Sequence, residues 1–476
     1  MRKSALFTVA ITLTITSFSQ SKWSLRDCLE YAIKNNISIQ QADIQTKFEK
    51  LNYEQSKLAL YPNFNSQHST GYQFGRSIDP TSNQFTTSEI LFANHGLDMN
   101  MDLFNWFSKR NTIAAKNFTF QANVEKYEKA KNDIALAIVN AYLMALLNNE
   151  QTHVAEVQLS QTKEQLSFIE KQVNVGKLPE LNLTEMQTQL ANDSNNVIAT
   201  QSNYNVSLLR LKTLMSLDVS TPFQIDATEM QKNLTAYDLT QLSPDNIYNI
   251  AISHLPQQKI NDLNLKSAKA GVLIAKAAMY PRLSLFGGLS SRYSNAQKFI
   301  PNAFQSAIVP IGIVNVDGNN HIVTNSVSQP VGFDKNTYFR QLSNNFSQSI
   351  GVSLSIPIFN GGMARTNWEK AKLNVSSAEL LKKQDNQALK EEIFELYENA
   401  AAALKKYYNS VSGEEAAQKS YDFSRKRFDV GAIKPLDMII TQNNLLRTKI
   451  NKLTAQYDFL FRLKLLQFYN GQKLYE

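Results

Sequence analysis

The chain has 476 residues, a formal net charge of +8, 43 % hydrophobic and 19 % charged residues, a mean hydropathy of −0.32 and one cysteine. Gly and Pro together number 28, roughly 6 % against an average near 12 %, which excludes collagen-like and loop-dominated architectures and favours long helices. A single cysteine excludes an intramolecular disulfide framework and a cysteine-based zinc site, and so low a charged fraction excludes a disordered polyelectrolyte.

At the N-terminus Arg2 and Lys3 precede an apolar stretch from Ala5 to Ile15, and Ser17 and Ser19 stand at the −3 and −1 positions before Gln20. This is the layout of a secretory signal peptide over residues 1–19. Cys28 follows Leu25-Arg26-Asp27 rather than a small-residue lipobox, so lipidation is not expected there. Past the first twenty residues no continuous run of about 18 apolar residues predicts a membrane-spanning helix.

Residues 24–60 read as a helical segment with Ser24 as N-cap, stopped by Pro62. The period then changes to two. Segment 64–74 alternates loosely through Phe64, Tyr72 and Phe74, and 97–103 strictly, with Leu97, Met99, Met101 and Leu103 on one face and Asp98, Asn100 and Asp102 on the other. Residues 105–174 contain no Gly or Pro, which predicts a helix of about 65 residues and about 100 Å. Within it Leu159, Thr162, Leu166, Ile169 and Val173 keep the 3-4 spacing of a coiled-coil seam. Val175-Gly176-Lys177-Leu178-Pro179 reverses the chain into a returning helix.

The same programme then recurs. Ser24, Cys28, Ala32 and Tyr61-Pro62 meet Ser243, Ile247, Ala251 and Tyr280-Pro281 at an offset of 219, which makes Cys28 a core thiol on an apolar helix position. Leu103-Phe104, Arg110, Val175-Gly176, Tyr204 and Leu211 meet Ile358-Phe359, Arg365, Val430-Gly431, Phe459 and Leu466 at an offset of 255. A second helical segment (243–279), two more strands (283–293 and 350–358), a second long helix (360–429), a second turn Val430-Gly431-Ala432-Ile433-Lys434-Pro435 and a returning seam through Leu446, Ile450, Leu453, Tyr457 and Leu460 follow. The difference between the offsets places an insertion at 295–340, rich in Asn, Ser, Gly and Pro and without period. The expected organisation is a signal peptide 1–19, a first repeat 20–217, a connector 218–242, a second repeat 243–469 carrying the 295–340 insertion as an extracellular loop, and a tail 470–476.

Strict alternation over about ten residues suits a transmembrane β-strand, apolar toward lipid and polar toward a lumen; a half-buried strand of an aqueous sheet shares the pattern. Four such strands cannot close a membrane barrel, which needs about eight, and an open edge cannot face lipid. The chain is therefore expected to pool strands with copies of itself; two copies give eight strands and a filled lumen, three give twelve and space for a channel.

Trp23-Ser24-Leu25 with Ala32, the Tyr61-Pro62 and Tyr280-Pro281 pairs, Ile356-Pro357-Ile358-Phe359-Asn360-Gly361-Gly362, and Val430-Gly431 followed by Asp437 together resemble the TolC family of outer-membrane efflux proteins over about 22–470. The resemblance implies a mixed α and β membrane protein: a homotrimeric 12-stranded β-barrel in outer-membrane lipid, continued by a periplasmic α-helical coiled-coil barrel. It implies a passive duct for small molecules (drugs, metals) or for type I protein secretion. The implied partners are a periplasmic adaptor (a membrane fusion protein) and, through it, an inner-membrane transporter of RND or ABC type. It assigns adaptor docking to Val175, Gly176, Lys177, Leu178, Pro179, Val430, Gly431, Ala432, Lys434 and Pro435, and a pore constriction to Asp437, whose three copies would form a carboxylate ring. The family's gate also uses a Tyr and an Arg where this chain has Phe428 and Ile433, and Ile440 replaces a second acid, so a lock here would be built differently, for example from Arg425, Lys426 or Arg427.

No nucleotide, zinc-protease or serine-hydrolase motif is present, so neither enzyme activity nor a cofactor or metal is expected. Of the five histidines, His68 and His95 come close on the first strand pair and could line the lumen, where solvated strand residues are the expected reading and metal binding is the alternative. Trp106 and Phe107 suit either a membrane-interface belt or helix–strand packing. The basic clusters read as solvated helix faces, and nucleic acid is not an expected partner of an exported chain. A structural or adhesive coiled-coil envelope protein is the alternative function; it accounts for the long helices but not for the alternating strands.

Overall fold

The computed structural model describes residues 22–78, 83–86, 89–226, 239 and 243–472; the expected signal peptide, part of the connector and the end of the tail lie outside the described residues. The elements in chain order are α1 (Leu25–Asn35), α2 (Ile37–Leu58), β1 (Asn63–Gln73), β2 (Ser77–Ile78), β3 (Phe85–Thr86), β4 (Ile90–Phe104), α3 (Ser108–Asn174), α4 (Glu180–Met215), α5 (Pro244–His254), α6 (Pro256–Ala277), β5 (Arg282–Ser294), β6 (Phe299–Val316), β7 (Asn319–Lys335), α7 (Tyr338–Asn344), β8 (Ser347–Ser355), α8 (Met363–Asp429) and α9 (Pro435–Tyr469). The duplication is visible in the lengths: α3 and α8 have 67 residues each, α2 and α6 have 22 each, α1 and α5 have 11 each, and α4 and α9 have 36 and 35.

Two of the expected single helices are broken. At Asn36 the backbone turns extended (ψ 128°), and its side-chain Oδ1 accepts from the Ser38 and Ile39 N–H groups, capping α2 afresh. At the matching point Leu255 is extended (ψ 133°) because Pro256 follows it and forbids the α region. Different residues thus impose the same break on both repeats. Ser24 caps α1 as expected, its hydroxyl accepting from Asp27 N–H while the Asp27 carboxylate accepts from Ser24 N–H.

The chain divides into two compact units. The helical unit (Met1–Lys50, Phe118–Lys266, Ser376–Glu476) holds the main core, built from Leu29, Ile138, Tyr142, Leu143, Leu146, Leu211, Ile393, Phe459 and Leu466 on α1, α3, α4, α8 and α9. Cys28 is fully buried there, as expected of a core thiol. An 18-residue window of α3 reaches a mean hydropathy of 1.3, that of a membrane span. This qualifies the expectation from continuous runs: averaging over a window tolerates the interspersed Asn and Tyr residues. The length is spent on packing, because Ile138, Val139, Tyr142, Leu143, Ala145, Leu146 and Leu147 are core residues.

The sheet unit (Leu51–Asn117, Ser267–Val375) contains a four-stranded antiparallel sheet in the order β1-β4-β5-β8. Its register sorts the side chains. Phe64, Met99, Gly287 and Ile350 stand in one row, with the row Met101, Leu285, Val352 on one side of it and Ser66, Leu97, Leu289, Gln348 on the other. The opposite face carries the row Asn65, Asp98, Gly288, Ser349, together with Asn63, Asn100, Asp102, Arg282, Ser284, Arg292 and Ser353. One face is therefore mainly apolar and the other mainly polar and charged, the latter interrupted by Phe92 and by Phe286, which lies over Gly351. Among the described residues β1 and β8 are each paired on one side. β8 ends earlier than expected, at Ser355: Pro357 has no N–H for the ladder, and Ile358 and Phe359 stand 94 % and 87 % exposed.

The inserted segment is not an aperiodic loop. β6 and β7 form a long antiparallel hairpin closed at Asp317-Gly318, whose positive φ angles of 53° and 85° suit the twist of a two-residue turn. The period is masked because bulges at Pro301/Ala303, Ala303/Phe304 and Pro310/Gly312 repeatedly shift the register. Helix α7 follows and packs on β5, where Ser291 Oγ donates to Leu342 O (2.7 Å).

Candidate functional site

The two tips of the helical unit are the same structure made twice. Gly176 (φ +73°) and Gly431 (φ +74°) take the left-handed conformation that ends a helix. Beside them Lys177 N donates to Gln172 O (2.9 Å) and Ala432 N to Arg427 O (2.7 Å), closing the C-terminal turns of α3 and α8. A Cβ at either glycine would meet nothing within 4 Å, so backbone conformation alone requires glycine. Pro179 then stands at the N-cap of α4 and Pro435 at the first turn of α9, where a missing N–H costs nothing.

Of the residues assigned to docking, Val175 and Val430 are 67 % and 79 % exposed, Gly176, Lys177, Gly431, Ala432 and Lys434 are exposed, Leu178 packs partly into the tip core, and Pro435 is buried. Two apolar residues on the same tips escaped the sequence reading, Leu181 and Leu436; like Ile440, both are exposed. Their signal is a large aliphatic residue in the first turns of a helix where the seam does not need one. Together these side chains leave an apolar surface at each tip.

The expected constriction residues part company. Asp437 is exposed in the first turn of α9, and its Oδ2 accepts from the Lys434 N–H at 3.4 Å, a position that suits a carboxylate at a helix N-terminus. Phe428 is buried, edge-on to Phe168 (centroids 5.8 Å), and Ile433 packs against the same cluster of Ile169, Met186, Tyr421, Met438 and Ile439. In the protomer, Phe428 and Ile433 are packing residues of the tip. Arg425, Lys426 and Arg427 are exposed and form no ion pair with a described residue; Lys426 and Arg427, in the last turn of α8, complement the helix dipole.

Away from the tip ends, a buried polar layer joins three helices. Thr162 Oγ1 donates to Asp193 Oδ2 (2.6 Å), Gln189 Nε2 donates to Asp193 Oδ1 (2.8 Å), and Gln442 Nε2 reaches Thr162 Oγ1 (3.3 Å). Asn443 and Gln189 exchange amide hydrogen bonds. In α8, Tyr421 Oη accepts from Gln165 Nε2 (3.2 Å), and burial holds this phenol above its ordinary range. The layer fixes α3, α4 and α9 against one another in one register. Sequence reading missed it, although Thr162 was a polar residue at a seam position and the matching residue of the second repeat is Ala417. Among the described residues no cluster of three or more His, Cys, Asp or Glu side chains could hold a metal.

The turn from sheet to long helix is also duplicated. Asn105 and Asn360 precede two residues in the left-handed region: Trp106 and Phe107 (φ 51° and 61°) in the first repeat, Gly361 and Gly362 (φ 65° and 78°) in the second. Trp106 stacks on Tyr280 (4.6 Å), and Phe104 contacts both Trp106 and Phe107. These contacts hold two bulky residues in a conformation that the second repeat reaches with glycine.

Comparisons with known proteins agree with this geometry. The sequence profile described as "Outer membrane efflux protein" matches residues 28–216 and 248–472, the two repeats on either side of the connector. The outer membrane efflux protein BepC of Brucella suis is 23 % identical over 440 residues, covering 91 % of this chain and 82 % of its own length. The pyoverdine export outer membrane protein OpmQ of Pseudomonas aeruginosa is 21 % identical over 74 % of this chain and 64 % of its own length, so the chain spans a little under two thirds of that relative. Among solved structures, the CmeC outer membrane channel of Campylobacter jejuni superposes with a TM-score of 0.72 at 17 % identity, covering 99 % of this chain and 93 % of its own. VceC of Vibrio cholerae gives 0.71 at 15 %, covering 94 % and 96 %. A duplicated strand-and-hairpin unit matched in sequence across both copies, and in fold along nearly its whole length, makes the chain a member of the outer membrane efflux protein family.

Proposed function

We propose that three copies of this chain close a twelve-stranded barrel in the outer membrane and act as the passive exit duct of a tripartite export machine. The observation that carries this reading is the four-stranded sheet: one apolar face, one face bearing Asp98, Asp102, Arg282 and Arg292, and two edge strands each paired on one side. In lipid an unpaired edge costs several kcal/mol for each unsatisfied backbone group. Pairing β1 of one copy with β8 of the next removes both edges, turns the apolar faces to lipid and the charged faces to a common lumen. The tips, with apolar side chains exposed around Gly176 and Gly431, are the surface for a periplasmic adaptor, and Asp437 narrows the exit. The transporter behind the adaptor is of RND or ABC type, and the cargo is a small molecule or a secreted protein.

Cross-linking of the detergent-extracted protein tests the closure. A ladder ending at three copies is expected; a ladder ending at one copy overturns the barrel. In cells, deleting the gene should sensitise them to toxic compounds or block a secreted protein.

A further inference from the structure

We propose that His68 and His95 form a two-imidazole clip for a late first-row divalent transition-metal ion on the outside of the sheet. Register puts the pair directly opposite one another on β1 and β4. Their row follows that of Ser66 and Leu97, so both rings belong to the apolar face. Even-numbered positions of β1 and odd-numbered positions of β4 share the face of Phe64, Leu97 and Met99, which under the proposed closure is turned away from the lumen. The next row on this face holds Thr70, Ala93 and Tyr293.

The rings meet through their Nδ1 atoms, 2.8 Å apart. Each opposite nitrogen already has a hydroxyl partner: His68 Nε2 lies 3.0 Å from Ser66 Oγ, and His95 Nε2 lies 2.6 Å from Tyr338 Oη on α7. Tyr338 is itself fixed against Tyr293 (centroids 5.0 Å). At this separation one Nδ1–H donates to the other Nδ1. Where both Nε2–H groups donate to the hydroxyls, both Nδ1 lone pairs are directed at one ion, which the rings admit after parting to about 3.3 Å, the span of two bonds of about 2.05 Å at a tetrahedral angle. Both Nδ1 atoms then bond the ion, the shared proton leaves to water, and water completes the coordination. The hydroxyls on Nε2 are the outer partners that orient metal-bound imidazoles.

The donor set selects the ion. Imidazole nitrogens suit Cu²⁺, Ni²⁺ and Zn²⁺, with Cu²⁺ held most tightly, and discriminate against Ca²⁺ and Mg²⁺, which require oxygen ligands. By joining β1 to β4 and engaging Tyr338, the ion would pin α7 to the end of the first strand pair.

The test uses untagged, chelator-stripped full-length protein in detergent. Titration with Cu²⁺ should show one site per chain with a two-nitrogen signature in electron paramagnetic resonance. Ni²⁺ and Zn²⁺ should compete with it, and Ca²⁺ and Mg²⁺ should not. His68→Gln and His95→Gln should each weaken binding about ten-fold or more, and Tyr338→Phe by about ten-fold, the usual cost of losing an outer partner. A second measurement needs no variant: Zn²⁺ should protect His68 and His95 of the native protein from diethyl pyrocarbonate while His153, His254 and His321 react unchanged. Equal Cu²⁺ binding by the His68→Gln/His95→Gln double variant, or equal carbethoxylation of both histidines with and without Zn²⁺, overturns the site.

Discussion

Cys28 and Asp437 show how much a residue's surroundings decide. Burial pushes the Cys28 thiol from 9.0 up to about 12, with the neighbouring Asp27 charge adding to it. A thiol whose pKa is raised on folding contributes stability that is complete below its unfolded pKa and is lost as pH rises through the folded one. The folded chain should therefore lose stability between about pH 9 and pH 12, and native Cys28 should resist iodoacetamide at pH 9 while the unfolded chain is alkylated. Rapid labelling of the native protein would contradict the core assignment. Asp437 has two roles open to it, a helix-starting carboxylate and a constriction charge. Asp437→Asn keeps size and hydrogen bonding but removes charge; it should lower the cation preference of the conducting oligomer, and Asp437→Ala should in addition raise basal conductance. Unchanged selectivity in both variants would leave only the helix-starting role, worth about 0.3–1 kcal/mol.

At the scale of elements, the tips and the sheet-to-helix turns are where backbone conformation is most constrained. Gly431→Ala should cost about 1–2 kcal/mol, because Gly431 has φ +74° with open space around it and the penalty is purely that of a left-handed Cβ. Faster hydrogen exchange over 427–437 would report it; exchange at the native rate would contradict it. The long helices were legible because nothing in 105–174 interrupts them, and the tips because Gly and Pro fall at helix-ending and helix-starting positions. The breaks at Asn36 and Leu255 were less legible, although Pro256 gave a direct cue. The β6–β7 hairpin was hidden by three bulges, with Asp317-Gly318 as its remaining signal. The burial of Phe428 and the Thr162–Asp193 layer were not legible: both depend on which helices meet, which a seam pattern alone does not specify.

For the whole molecule, low Gly and Pro content and polar mean hydropathy have a common cause. Helices, four of them very long, hold more than half of the residues, and the apolar face of the sheet engages only alternate positions of four strands. The duplicated unit supplies four strands with two open edges, so copies of the chain are expected to complete a water-filled lumen. Planar-bilayer recording of the purified oligomer should show stepwise ionic current whose size changes when Asp437 is neutralised; a membrane that stays silent with the native protein and with every Asp437 variant would rule the lumen out.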